Sequence, residues 1–411
     1  MSSSFDETFK RAVSPGPERL LAGVALAAAG PKKGDSDYLN AFGTMDLDPA
    51  SSPVSPTETV MWLASCSKIV TTIAVMQCVE RGLFELHSIA DFERLLPEWS
   101  NRQILTALVD GKEQLQPAKE KMTLARLINH TSGMGYDFIS PLLEWRASRG
   151  EAPQIMQGPI TEVLQHPICF EPGSGFAYSS GLDLAGLMVA RANSCTLEEY
   201  MRKHIFGVLG MDDTSFRPLT IKNLTARLMP MVHRPTADEP LESGDHPRNP
   251  LKAPLEPYDD FGGSGLFSTA ADFLKFLKSV QRNDGQLLKP ETVDLMFEPA
   301  ISGSSMAMLQ STLGIDAAAT IMIPGERLVG TPGAGKWSHG LGGLLGMQDN
   351  EYGLKAPWMQ WGGAPNLKWW IDRKGGTCGL FATQLAPAGE KKHQVLPILF
   401  QKQMASNLGK K

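Results

Sequence analysis

Residues 63–82 read Leu-Ala-Ser-Cys-Ser-Lys-Ile-Val-Thr-Thr-Ile-Ala-Val-Met-Gln-Cys-Val-Glu-Arg-Gly. From Lys68 to Arg81, Ile69, Ile73, Met76 and Val79 recur at three- and four-residue spacing, which predicts a core-facing helix. Gly82 supplies its C-cap. At the start of that helix Ser65 and Lys68 stand three residues apart, so hydroxyl and amine share one face. A serine hydroxyl is a weak nucleophile until a neighbour takes its proton, and a lysine amine can help do so. A Ser-x-x-Lys match is weak evidence by itself, although no other lysine of the chain completes one. Its bland reading is a solvated helix end, so the case rests on companions elsewhere.

The remainder of the chain bounds those companions. With 411 residues the chain is long enough for a large core and two structural units, and its 42% hydrophobic content is that of a globular protein. A net charge of −5 gives no basic footprint for nucleic acid. No apolar run approaches the roughly 18 residues of a membrane span, and Met1-Ser-Ser-Ser-Phe-Asp-Glu7 lacks the pattern of a secretory signal. Cys66, Cys78, Cys169, Cys195 and Cys378 are odd in number and form no C-x-x-C, which points to reduced thiols and a cytoplasmic protein. The eight histidines show no ligand spacing, so neither a metal nor another cofactor is expected.

Strands are expected at Gly23–Ala29 and near Tyr38–Phe42, after a helix over residues 4–13. From about 88 to 250 the pattern reads as mostly helical, and Leu266–Val280 as one further amphipathic helix, with Ser268 and Thr269 as candidate N-caps before Ala270. Leu367–Asp372 and Thr377–Leu385 flank Arg373-Lys-Gly-Gly376 as a β-hairpin. Strands at both ends around a helical middle predict an α/β domain formed by residues 1–87 with 255–411, and a mostly helical domain over 88–254.

An acyl enzyme also needs a second base and donors for the oxyanion. Tyr178, after the turn Glu171-Pro-Gly-Ser-Gly175 and before a helix, is the best base candidate; a nearby ammonium would favour its phenolate. The alternative is a half-buried tyrosine hydrogen-bonded at a helix start. Trp361-Gly-Gly-Ala-Pro-Asn366 permits close approach of backbone to ligand, or is simply a tight turn. Trp62, Tyr136, Phe138, Trp145, Trp337 and Trp361 are candidates for an apolar pocket, and each is equally a core residue. Tyr38-Leu-Asn40 also reads Tyr-x-Asn, but it lies in the strand expected upstream of Ser65. Gly330–Lys336 resembles a phosphate-binding loop but ends in Trp337 where Ser or Thr is needed. His130 reads as a structural histidine at a helix end, and no G-x-S-x-G elbow is present.

Leu63-Ala-Ser-Cys-Ser-Lys68, Leu127-Ile-Asn-His-Thr-Ser-Gly133, Tyr178, Phe261-Gly-Gly-Ser-Gly-Leu-Phe267 and Trp361-Gly-Gly-Ala364 occur in this order. Together they resemble the serine β-lactamase/penicillin-binding-protein-like superfamily. The likeness is to its class C and esterase branch, and within that to the fungal acyltransferases of lovastatin-type polyketides. The resemblance implies an α/β, transpeptidase-like fold in which an antiparallel sheet flanked by helices meets a mostly helical domain. It implies Ser65 as nucleophile, Lys68 and Tyr178 sharing the acid–base work, and the backbone N–H groups of Ser65 and Ala364 as oxyanion hole. Trp62, Tyr136, Trp361, Gly362 and Gly363 are then expected to touch substrate. The implied reaction carries an acyl group from a thioester, on a small thiol or an acyl carrier protein of a polyketide synthase, to a hydroxyl of a small-molecule acceptor. Hydrolysis of an ester or thioester on the same site is the alternative, and a non-catalytic binding homologue a third reading.

The departures from the family pattern are specific. Ser180 replaces the Asn of Tyr-x-Asn, and Trp361-Gly-Gly replaces Lys-Thr-Gly, which removes a cation that would hold a β-lactam carboxylate. Trp62 stands where the acyltransferases carry arginine.

Overall fold

The computed structural model describes residues 3–32, 34, 36–245, 253–314 and 336–409. The helix read from the opening stretch spans Ser67–Glu80 and is buried nearly all round, Thr71 and Thr72 included. The two threonines satisfy their hydroxyls inside the core: Thr71 Oγ1 donates to Gly262 O (2.6 Å), and Thr72 Oγ1 to Lys68 O (2.9 Å). A helix so enclosed lies at the centre of its protein, and this one packs against Gly181–Asn193 on its helical side.

On the other side stands a seven-stranded antiparallel sheet. Its strands are β1 (Gly23–Ala29), β2 (Tyr38–Gly43), β3 (Trp337–His339), β4 (Leu344–Gly346), β5 (Trp358–Gly363), β6 (Leu367–Asp372) and β7 (Thr377–Ala382). Their spatial order is β2-β1-β7-β6-β5-β4-β3. Ala25 faces Ala382 and Ala29 faces Cys378, so a strand from the start of the chain is zipped to one from its end. Both faces of β7 are covered. Phe381 meets Phe9 of the helix Ser3–Val13 (ring centroids 6.5 Å apart), while Cys378, on the opposite face, lies by Lys278 and Arg282 of the helix Ala270–Arg282. The run of alanines in β1 suits a strand buried on both faces. Gly379 is required by close packing: a Cβ there would lie 2.2 Å from the Trp370 indole.

Two expectations are corrected. Leu266–Val280 is not one helix: Phe267–Thr269 is a strand paired with Val60–Trp62, and the helix begins at Ala270, with Thr269 Oγ1 accepting from Asp272 N (3.2 Å). Pairing with a distant strand overrides the helical pattern there. The 88–250 region also contains a β-hairpin, Gln103–Val109 with Lys112–Pro117. Its turn is Asp110-Gly111, both at positive φ (50° and 74°), the sequence signature of a two-residue hairpin turn.

The phosphate-loop lookalike at 330–335 lies outside the described residues. Among the described residues, no helix is long and apolar enough to cross a membrane, and all five cysteines are free.

Candidate active site

The end of β5, the central helix and the helical layer converge on Ser65. Ser65 sits in a short 3₁₀ turn, Ala64–Cys66, that leads directly into the Ser67–Glu80 helix. Ala64 is held at φ +45°, a conformation that costs a non-glycine residue about 1 kcal/mol or more. The turn is pinned from three sides. Leu63 N donates to Leu266 O (2.9 Å), Ser67 Oγ donates to Ala64 O (2.6 Å), and Leu266 N donates to Ser67 Oγ (3.1 Å).

Lys68 is buried, and its Nζ donates to Ser65 Oγ (3.2 Å), Tyr136 Oη (2.8 Å) and Gly263 O (2.7 Å). Three acceptors fix the amine beside the hydroxyl. Tyr178 presents its ring to the same amine, 4.7 Å from Nζ to the centroid, while its oxygen accepts from Trp361 Nε1 (3.2 Å). The phenol oxygen that accepts from Lys68 is therefore that of Tyr136, which sequence reasoning assigned only to the pocket wall. Burial, with Tyr178 and Asp183 nearby, pushes the Tyr136 phenol well above its usual 10, so it remains protonated.

A further contact was missed. Asp183, in the first turn of the helix Gly181–Asn193, is fully buried and accepts from Gly263 N (2.7 Å). It thereby anchors the glycine whose carbonyl receives Lys68. Burial pushes its carboxyl up to about 6, against the opposing pull of Lys68 and of the Gly263 amide. The one sequence signal for it is the Gly-Gly of Phe261–Phe267, since a Cβ on Gly263 would lie 2.8 Å from Asp183 Oδ2.

Behind Tyr178, Trp361 belongs to an aromatic cluster. The His130 ring stacks on Trp361 (6.2 Å) and meets Tyr178 (5.0 Å) and His339 (5.3 Å) edge-on. Burial pushes His339 down to about 4 and His130 well below its usual value, so both rings are neutral near pH 7. His130 Nδ1 shares a hydrogen bond with Ser179 Oγ (3.0 Å), which places it as support behind Tyr178.

Ser65 opens into a cavity of about 670 Å³. Trp62, Tyr136, Phe138, Tyr178 and Ala364 line it, with aliphatic and aromatic side chains completing the wall. Trp361, Gly362 and Gly363, expected to touch substrate, do not line it. They are buried in β5, where Trp361 backs Tyr178 and the glycines make room for neighbours. A Cβ on Gly363 would lie 2.3 Å from Leu63 O, so the end of β5 presses on the Ser65 turn and brings Ala364 beside it. Trp145 and Trp337 also lie away from the cavity: Trp145 packs with Leu105 and Leu142, and Trp337 against Trp358. Ser180 is buried at the start of its helix with Oγ 3.4 Å from Gly135 O, next to Tyr136. Cys66 is fully buried and its thiol pushed upward by burial, so it is held as a neutral core residue.

This architecture has close counterparts. The sequence profile of the beta-lactamase family matches residues 9–396. The chain is 37% identical over 391 residues to the lovastatin esterase of Penicillium rubens, covering 92% of each protein. It is 33% identical over 388 residues to the monacolin J acid methylbutanoyltransferase of Aspergillus terreus, covering 93% of this chain and 90% of that protein. The unliganded simvastatin synthase of Aspergillus terreus superposes with a TM-score of 0.83 at 31% identity, over 98% of this chain and 97% of that one. The chain belongs to the beta-lactamase family of enzymes.

Proposed function

We propose that the protein is an acyltransferase that carries an acyl group from a thioester, through an ester on Ser65, to a hydroxyl of a small secondary metabolite of the fungal polyketide kind. The observation that supports this most is Lys68 Nζ at 3.2 Å from Ser65 Oγ beside a large apolar cavity. In the first half-reaction Ser65 Oγ bonds to the thioester carbonyl carbon, its proton passes to the Lys68/Tyr178 pair, and the thiol leaves carrying that proton. In the second, the acceptor hydroxyl gives its proton to the same pair and attacks the acyl-serine, and Ser65 Oγ regains a proton. The amides of Ser65 and Ala364 would donate to the oxyanion in both steps. The thioester is carried by a small thiol or by an acyl carrier protein of a polyketide synthase, and the protein works in the cytoplasm.

Hydrolysis is the second reading, favoured by the 37% identity to a protein named as an esterase. One thioester, incubated with and without candidate alcohols, separates the two by its products. Free acid alone at saturating acceptor would sink the transferase reading. If neither ester nor acid forms, both readings fall.

A further inference from the structure

The buried Lys68 amine makes its three hydrogen bonds to uncharged oxygens, those of Ser65, Tyr136 and Gly263. The titratable side chains closest to it supply no anion. Tyr136 stays a phenol, Cys66 a thiol and His130 a neutral ring, while Tyr178 presents the face of its ring. An ammonium enclosed in this way is costly unless an opposite charge lies near. Asp183 is placed to be that charge. Its Oδ1 accepts from Gly263 N (2.7 Å), and Gly263 O receives Lys68 Nζ (2.7 Å), so a single residue joins carboxylate to amine. An asparagine would make the same bond to Gly263 N. Asp183 Oδ2, equally buried, has no hydrogen-bond partner among the described residues, so local bonding does not explain why a carboxylate stands here. Its carboxyl, pushed up to about 6 by burial against the pull of Lys68, is still mostly ionised near pH 7. Tyr136, the other titratable group that faces it, feels its charge in turn.

We propose that Asp183 is a positioning residue whose negative charge balances Lys68 while the Lys68/Tyr178 pair holds the Ser65 proton. As Ser65 Oγ bonds to the carbonyl carbon, its proton adds a positive charge to that pair, and the charge is removed when the thiol leaves carrying the proton. Asp183 thus does two things through one glycine: it fixes the carbonyl that aims the amine, and it supports the protonated state through which the reaction passes. This inference rests on the acyl-serine reading for its consequence in turnover, and on the Asp183–Gly263–Lys68 geometry alone for its consequence in titration.

Asp183→Asn keeps the bond to Gly263 and removes the charge. With p-nitrophenyl butyrate, the acid limb of kcat/KM for the full-length variant should lie about one pH unit below that of wild type, because the pair holds its proton less tightly once the anion is gone. An Asp183 that served only to anchor Gly263 would leave the limb where it is. A limb at or above the wild-type position would therefore overturn the inference. Lys68→Met supplies the reciprocal measurement, which needs no turnover and decides the matter if Asp183→Asn does not fold. Without the ammonium, Asp183 should keep its proton to a pH about one unit higher than in wild type. The infrared C=O band of protonated carboxyl reports this between about pH 6 and 8, where exposed carboxyls are ionised. The same titration of that band in both proteins would overturn the inference. If wild type turns over no ester but the band shifts, the acyl-serine reading fails and the pairing of Asp183 with Lys68 stands.

Discussion

Gly363→Ala probes the link between fold and chemistry directly. The added Cβ would lie 2.3 Å from Leu63 O and 3.3 Å from Cys66 Sγ. Non-bonded heavy atoms settle at about 3.5 Å, so the end of β5 and the Ser65 turn must separate by about 1 Å. The turn cannot yield freely, because Leu63 is tied to Leu266, and Ser67 to both Ala64 and Leu266. The separation therefore falls between the amides of Ser65 and Ala364. Misplacement by about 1 Å can cost about 10²-fold, and loss of one oxyanion donor about 10²–10³-fold, in kcat. The stability cost should be that of overpacking, about 1–3 kcal/mol. With p-nitrophenyl butyrate we expect kcat to fall about 10²-fold with KM nearly unchanged, in a protein that still melts cooperatively. Ala364→Gly keeps the amide and should retain kcat within a few-fold. A folded Gly363→Ala protein with wild-type kcat would refute the claim that this approach of backbones sets up the oxyanion site.

Other perturbations follow from the same geometry. Lys68→Ala and Tyr178→Phe should each lower kcat by about 10²–10⁴-fold, and near-normal turnover in either variant would remove that residue from the mechanism. Tyr136→Phe deletes one of the three acceptors of Lys68 but keeps the ring in the cavity wall, so its loss should be smaller than that of Tyr178→Phe; the reverse ranking would make Tyr136 the working phenol. Asp183 has a native pKa of about 6, raised from 3.8, so the native state holds its proton more tightly than the unfolded chain does. That cost is fully present above about 6 and absent below about 4, and it amounts to about 3 kcal/mol. Measured by urea denaturation, wild type should therefore gain up to about 3 kcal/mol on Asp183→Asn as the pH falls from about 7 to about 4. A difference that does not change with pH would contradict the burial of an ionisable Asp183.

What could be read from the chain depended on the range of the interaction. Ser65 and Lys68 are three residues apart, so helical spacing alone places amine beside hydroxyl. The sheet strands β1, β2, β6 and β7 announced themselves by apolar content and turn residues. The Asp110-Gly111 turn carried an equally good signal, which the helical reading of its surroundings obscured. Tyr136 meets Lys68 across 68 residues, and Asp183 meets Gly263 across 80, so neither contact leaves a local pattern. Asp183 was further disguised because an acidic residue in a helix's first turn is ordinarily explained by the helix dipole. The aromatic candidates divided for a similar reason. Composition marks a tryptophan as buried, but only packing decides whether it faces a cavity, like Trp62, or backs a tyrosine, like Trp361.

The central claim is an ester on Ser65. Intact-protein mass spectrometry after brief mixing with a short-chain acyl thioester, followed by peptide mapping, tests it most directly. The account predicts one added acyl group on the peptide that contains Ser65, its loss in Ser65→Ala, and its accelerated disappearance when an acceptor alcohol is added. Turnover of the thioester with no adduct on Ser65, or with an unchanged rate and adduct in Ser65→Ala, would contradict it.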